Sequence, residues 1–567
     1  MKEKELLIML LVLVISLVDN RVNSQQSDNQ IVNNQLVLFT DRTLYITGEE
    51  IQFSVMPVRN NFLPENADSR ILYVELITAG GHRITGGKYA IENGRGMGCL
   101  SVPRDVLSGE YYVRAYTRYM RNFGPAGYPG VRVKLINSSN NNILTGNSST
   151  PVVSREDSIR KQPVLEIEIA MTDRKEYKTR EKVDLFIETG KMKELYSTGW
   201  CITVVPVNSI DPEEGILTSG AGSFAINHDS TGMHYYPETR GVSISGKVTD
   251  RGTGSSAPGA VVTLSVIGEK DFSAYKTGQS GEFYFSLPGY KGRRDIFLSS
   301  WAISGSPPGI LIDNDFCTSP VKLPSSGFKL TEEEKRTGLT MAVNFQVASF
   351  FHNIPKPKTD SGYSVVESFY GKPTETLLFD KYIQLPTLEE YFNELPMEVK
   401  IREKQGKKYF KFLSPLAEMM VYDPLVLVDW VVVTETDKLL DLSPQKISRI
   451  EIVNKPYVKG NLTYGGIISI ISREGDFAGI DLPASGVFIN YGFLEYDRVE
   501  GRNDQVAAHI PDSRNTLYWE PDVALDSPDT ANISFITADT PGDYLVVLRG
   551  VGRQGVIYGQ SIAIKVE

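Results

Sequence analysis

The sequence predicts a mainly β, multidomain chain: tandem β-sandwiches plus one small α+β domain. Three observations carry this. Apolar and polar residues alternate in short runs broken by Gly, Pro, Asn and Asp, the period of half-buried strands. One polar strand opening is written twice, as "FTDRTLYITGEEIQFSV" from Phe39 and "MTDRKEYKTREKVDLFI" from Met171, with Asp41 and Asp173 132 residues apart. The 567 residues, 41% of them hydrophobic, suffice for several globular cores and are too polar for a polytopic membrane protein.

The chain opens on an apolar run, Leu6 to Val18, broken only by Ser16 and preceded by Lys2 and Lys4. The run is shorter than the roughly 20 residues of a spanning helix. With Val22 and Ser24 ahead of Gln25 it reads as a secretory signal peptide over residues 1–24. The net charge of −10 argues against nucleic acid, which needs a Lys/Arg footprint, and gives no reason to expect an anionic membrane surface as partner. Cys99, Cys201 and Cys317 fit no zinc or CxxC spacing and read as small buried residues.

Residues 25–135 read as a first sandwich, with strands at Ile71–Ile77 and Gly109–Met120. Residues 136–161 are rich in Asn, Ser and Thr and read as a polar linker. A second sandwich follows over 162–240. The opening Asp-Arg-x-x-Tyr-x-x-Gly-Glu of Asp41–Glu49 resembles the strand opening of macroglobulin domains, the sandwich modules of the α2-macroglobulin family. In the second copy Arg180 stands where the turn prefers Gly, so a looser or differently built turn is expected there than at Gly48. No Cys-Gly-x-x-Gln thioester motif occurs.

Residues 241–300 resemble a carboxypeptidase regulatory-like domain, a small transthyretin-like sandwich. The marks are Ile244-x-Gly246-x-Val248, Pro258-Gly259-Ala260-x-Val262 and Gly281-x-Phe283-x-Phe285. A mixed connecting region spans 301–395; Thr331 with Glu334, and Thr387 with Glu390, have the spacing of helix capping boxes. Residues 396–485 resemble the plug domain of TonB-dependent receptors, through Pro424–Asp429, Leu442-x-Pro444-x-x-Ile447-x-x-Ile450 and Tyr464-Gly465-Gly466. Trp430 replaces the Gly usual after that Asp. The 92 residues after Gly475 are too few for a barrel of about 22 strands, so no transporter is expected. Residues 486–567 read as a closing macroglobulin-like module, through Leu517-Tyr518-Trp519-x-Pro521 and Phe535 to Tyr544. This order of modules resembles that of a set of Bacteroidetes envelope proteins.

No catalytic, cofactor-binding or metal residues are assigned, and no cofactor is expected. His82, His228, His234, His352 and His509 make no zincin motif, and neither a GxSxG elbow nor a P-loop occurs. Asp313-Asn314-Asp315 starts like a calcium loop but lacks its Gly and later acid. Asp41-Arg42 and Asp173-Arg174 read as local turn or ion-pair residues. Tyr111, Tyr112, Tyr116, Tyr119, Tyr235 and Tyr236 read as packing before glycan stacking. The resemblance implies a non-enzymatic exported protein, periplasmic or outer-membrane associated. It would bind or scaffold a protein partner of the cell envelope, with an outer-membrane barrel as one candidate. The alternatives are an accessory glycan- or siderophore-binding module and a protease-interacting macroglobulin without a thioester.

Overall fold

The computed structural model describes residues 35–567 except 59–68, 145–158, 162–163, 190–198, 212–215, 220–233, 302–307, 326, 352–366, 415, 483–484, 497–508, 525–529 and 553–554. The signal-peptide reading of 1–24 lies outside the described residues. The chain is mainly β and divides into two compact units. One comprises residues 1–239, 319–353 and 498–567, the other 240–318 and 354–497.

In the first unit, strands Gln35–Thr40, Glu50–Val58 and Arg95–Ser101 form a sheet. It passes through Arg83–Glu92 into a second sheet of Ile71–Thr78, Gly109–Tyr116, Gly130–Ile136, Ile216–Ser219 and Ile159–Lys161. Alternation places Phe53 and Val55 on one strand and Leu72, Val74 and Leu76 on another in the buried interior. Every residue of Gly109–Tyr116 is buried, which accounts for its run of tyrosines.

The second sandwich draws on both ends of the chain. One sheet runs Val164–Glu166, Ile557–Val566, Gly542–Val551, Gly199–Pro206, Tyr518–Glu520; the other runs Ala170–Thr172, Lys182–Glu188, Thr530–Ile536. Ile169, Val183, Leu185, Trp200, Ile202, Phe535, Val546 and Ile564 fill one core. The reading of 162–240 and 486–567 as separate modules is therefore corrected. Residues 164–206 supply too few strands to close two sheets, and Lys182–Glu188 finds its antiparallel partner at Thr530–Ile536. A further apolar cluster, with Val37, Phe39 and Met56 from the first sandwich and Cys201, Trp519, Val551 and Ile557 from the second, joins the two.

Helix Glu332–Phe351, from the expected connecting region, belongs to this unit. Its capping box is formed: Glu334 N–H donates to Thr331 Oγ1 at 3.1 Å and Thr331 N–H to Glu334 Oε2 at 2.8 Å. Met341 and Ala342 pack on Leu44 and Ile46.

The other unit contains a sandwich of Glu282–Leu287, Val242–Asp250, Pro308–Ile312 against Phe272–Lys276, Val261–Val266, Arg293–Trp301, Val487–Gly492. It reaches past the expected limit of residue 300 and takes its last strand from the stretch assigned to the closing module. Beside it lies a mixed sheet of Glu375–Leu378, Ile447–Val453, Ile467–Ser472, Leu425–Val428 and Val431–Val432. Leu425–Val428 runs parallel to Ile467–Ser472, and the intervening chain supplies helix Thr436–Leu440. Leu388, Tyr391 and Phe392 of helix Leu388–Glu394 pack into the same core as Ile450, Ile452 and Ile470, so this part of the expected connecting region belongs to the sheet.

Asp429 and Trp430 form the two-residue turn between Leu425–Val428 and Val431–Val432, with φ of 45° and 63°. Both central residues are left-handed, the signature of a type I′ hairpin, in which Gly would be least strained. The Asp429 carboxylate accepts from Ser472 N–H at 2.8 Å, Ser472 Oγ at 2.6 Å and Phe477 N–H at 2.9 Å, which holds the turn.

Candidate functional site

The twice-written stretch folds into the same cage of side chains both times. In the first copy Asp41 Oδ1 accepts from the Tyr45 hydroxyl at 2.7 Å and Gln52 N–H at 3.0 Å. Arg42 Nε donates to Asp41 Oδ2 at 3.2 Å, and Arg42 Nη1 and Nη2 donate to Glu49 Oε2 and Oε1, each at 3.3 Å. Ile46 N–H donates to Glu49 Oε2 at 2.7 Å. The guanidinium carbon lies 4.6 Å from the centroid of the Tyr45 ring.

In the second copy the Tyr177 hydroxyl donates to Asp173 Oδ1 at 2.6 Å and Asp184 N–H to the same oxygen at 3.3 Å. Arg174 Nε reaches Asp173 Oδ2 at 3.1 Å, Arg174 Nη2 reaches Glu181 Oε1 at 3.0 Å, and Lys178 N–H reaches Glu181 Oε2 at 2.6 Å. The spacing Asp, Arg, three on to Tyr, four on to Glu thus encodes a self-closing turn: the carboxylates take up backbone N–H groups that the turn would otherwise leave without acceptors.

The turns differ as the sequence suggests. At Gly48, φ is 96° and Glu49 N–H closes on Ile46 C=O at 3.1 Å. At Arg180, φ is 58°, left-handed without the freedom of glycine. There a hydroxyl is inserted: Glu181 N–H donates to Thr537 Oγ1 at 2.9 Å, and Thr537 Oγ1 donates to Lys178 C=O at 2.7 Å. The Arg180 guanidinium is clamped by Asp539 through two 2.6 Å contacts.

Burial separates the copies. Asp41, Arg42 and Glu49 are buried, whereas Arg174 is half exposed. The first cage is completed from distant sequence: Thr516 Oγ1 donates to Asp41 Oδ2 at 2.6 Å and Asn515 Nδ2 to Glu49 Oε1 at 2.8 Å. All four carboxylate oxygens then accept two hydrogen bonds each. Asn515 Nδ2 also donates to Met341 C=O at 3.0 Å, tying in helix Glu332–Phe351. Neither Asn515 nor Thr516 carries a local signal in the sequence.

The electrostatics follow from this closure. Burial alone would lower the Arg42 pKa, but Glu49 and Asp41 outweigh it and hold the guanidinium above its ordinary value. Burial, then Asp41, pushes the Tyr45 phenol well up. In the exposed copy burial and the bond to Asp173 push Tyr177 to about 12. The hydrogen bond from Tyr177, with those from Arg174, holds Asp173 below the usual carboxylate range.

The other residues singled out by sequence do not converge. His82, His234 and His509 are exposed, and His228 and His352 lie outside the described residues. Among the described residues no three His, Cys, Asp or Glu side chains cluster as metal ligands. Asn314 of the Asp313–Asp315 stretch makes a local turn, accepting from Phe316 N–H at 3.0 Å. Tyr111, Tyr112 and Tyr116 are core residues; Tyr235 lies under the Arg121 guanidinium, 4.1 Å from ring centroid to carbon, and Tyr236 is exposed. Cys201 is buried and burial pushes its thiol to about 11; Cys317 is buried and Cys99 half-buried, and none of the three forms a disulfide.

No family model matches the chain and no curated protein resembles it. Among solved structures, the native conformation of Escherichia coli α2-macroglobulin aligns at 9% identity over 94% of this chain and 40% of its own, with a TM-score of 0.23. Salmonella α2-macroglobulin reacted with methylamine aligns at 10% identity over 94% and 23%, with a TM-score of 0.15. A tetra-tandem repeat from the extending region of a large adhesion protein aligns at 8% identity over 94% and 99%, with a TM-score of 0.13. The chain thus spans well under half the length of the macroglobulins it aligns with. At these scores the likeness carries no argument about family or activity.

Proposed function

We propose that this chain is a non-catalytic binding or scaffold protein of a bacterial cell envelope. The observation that carries this reading is the closed cage at Asp41, Arg42 and Glu49. It is the one constellation of charge the sequence writes twice, and its buried copy spends every carboxylate oxygen on donors from the same chain. Such a cluster fixes geometry and leaves no free base, acid or ligand position for a substrate. It locks two sandwiches and a helix into one body, as a protein that presents surfaces to a partner requires.

The envelope setting rests on the apolar run Leu6–Val18 and on the resemblance of the module order to Bacteroidetes envelope proteins. The partner in this reading is a protein of the envelope, and the resemblance of 396–485 to a receptor plug favours an outer-membrane barrel. Crosslinking and mass spectrometry in the native envelope tests it. Recurrent crosslinks from 396–485 to one outer-membrane protein are expected. Crosslinks no more frequent than those of an unrelated exported protein would overturn the partner. Recovery of the chain with a stoichiometric glycan or siderophore would favour the accessory ligand-binding alternative.

A further inference from the structure

Strands Val399–Lys404 and Lys407–Phe412 form a two-stranded antiparallel ribbon. Its turn, Gln405-Gly406, has φ of 54° and 75°, the left-handed pair of a type I′ hairpin. Val399, Ile401, Phe410 and Phe412 face inward and pack in the core of the mixed sheet. Strict alternation then puts Lys400, Arg402 and Lys404 of one strand and Lys407, Tyr409 and Lys411 of the other on the opposite face. Five cations and one tyrosine make up this face of the ribbon.

The register sets Lys400 opposite Lys411 and Lys404 opposite Lys407. Like charges directly across a ladder destabilise a sheet. The chain as a whole carries −10, so acidic residues to alternate with these cations are not scarce in its composition. A local rule broken twice on one face, in a hairpin whose turn and inner face obey the rules, points to a role outside folding.

Exposed apolar residues lie in the segments at the base of the ribbon. Lys411 Nζ donates to Met420 C=O at 2.6 Å, and Leu413 N–H donates to Glu398 C=O at 2.7 Å, which fastens the following segment there. Met420 is 62% exposed, Val421 74% and Met397 82%. Glu398 lies at this end too, and Asn454 Nδ2 donates to its carboxylate.

We propose that the outer face of this ribbon docks on an anionic lipid surface, a partner that the chain's net charge of −10 gives no reason to expect but that its locally cationic face fits. The cations are spread along both strands of the ribbon, so they match repeated headgroups better than one small anion. Met397, Met420 and Val421 would enter the headgroup–acyl boundary beside them. The inference uses residues apart from the cage and stands independently of the scaffold reading.

Co-sedimentation of the full chain with vesicles tests it, using phosphatidylcholine alone and phosphatidylcholine with phosphatidylglycerol. Binding that needs phosphatidylglycerol and weakens with salt is expected. Lys404→Gln with Lys407→Gln should weaken it about twenty-five-fold, at about fivefold per cation. Val421→Ser should weaken it as well. The unfolding midpoint serves as the control for folding, and the lysine pair is exposed beside the turn. Any attachment through residues 1–24 is common to all variants, so the difference between variants reads the ribbon. Equal affinity of wild type and the lysine variant would overturn the proposal. Failure to bind either vesicle, with Lys407-dependent capture of an acidic protein, would overturn it in favour of a protein partner.

Discussion

Thr516 donates its hydroxyl to Asp41 Oδ2 at 2.6 Å, although 475 positions of sequence separate them. Among the described residues no hydroxyl from distant sequence reaches Asp173 in the second cage, so this bond reports on the junction between sandwiches and not on the motif. Thr516→Val should cost about 1–3 kcal/mol, because a buried carboxylate oxygen loses a donor. Chemical denaturation checks this, and an unchanged midpoint would sink the idea that the junction depends on the cage.

Asp41→Asn and Asp173→Asn make the same chemical change in two environments. The first leaves Arg42 buried with half its counter-charge and should destabilise by roughly 3–5 kcal/mol. The second acts at a solvated site, where salt and water screen the loss, and should leave the midpoint close to wild type. Equal effects would mean that burial does not separate the copies.

Arg180 exchanges backbone comfort for an ion pair. Its hydrogen bonds hold the Asp539 pKa below the ordinary value of 3.8. A carboxylate with a depressed folded pKa contributes stability above its unfolded pKa and loses it as pH falls through the folded one. Arg180→Gly should therefore be less stable than wild type at neutral pH. Below pH 3.8 the gap should close as Asp539 is protonated, leaving the glycine's easier left-handed backbone. Unfolding midpoints against pH decide it; a pH-independent gap would argue against the ion pair.

Cys201 should resist alkylation in the native protein at mildly alkaline pH, since burial pushes its thiol to about 11. The half-buried Cys99 should react first. Mass spectrometry after iodoacetamide treatment, native and denatured, reads this directly.

What the sequence disclosed was local. The tyrosine-rich run of Gly109–Tyr116, the capping box at Thr331 and Glu334, and the doubled Asp-Arg opening depend on neighbours within a few residues. What it concealed was long-range. Nothing around Lys182 announces that Ile536 lies opposite it, and nothing near Glu181 announces the Thr537 hydroxyl inside its turn. The cationic ribbon was written plainly, as Lys400, Arg402, Lys404, Lys407 and Lys411. Its significance appears only when the register fixes which cations share a face.

The second sandwich imposes a schedule on synthesis. Lys182–Glu188 leaves the ribosome long before its partner Thr530–Ile536 exists, and Val164–Glu166 long before Ile557–Val566. At about 5–20 residues per second, each edge waits on the order of tens of seconds for its neighbour. During that interval chaperones or the export machinery must shield it, and a chain cut short before residue 557 would leave the half-built sheet exposed to quality-control proteases.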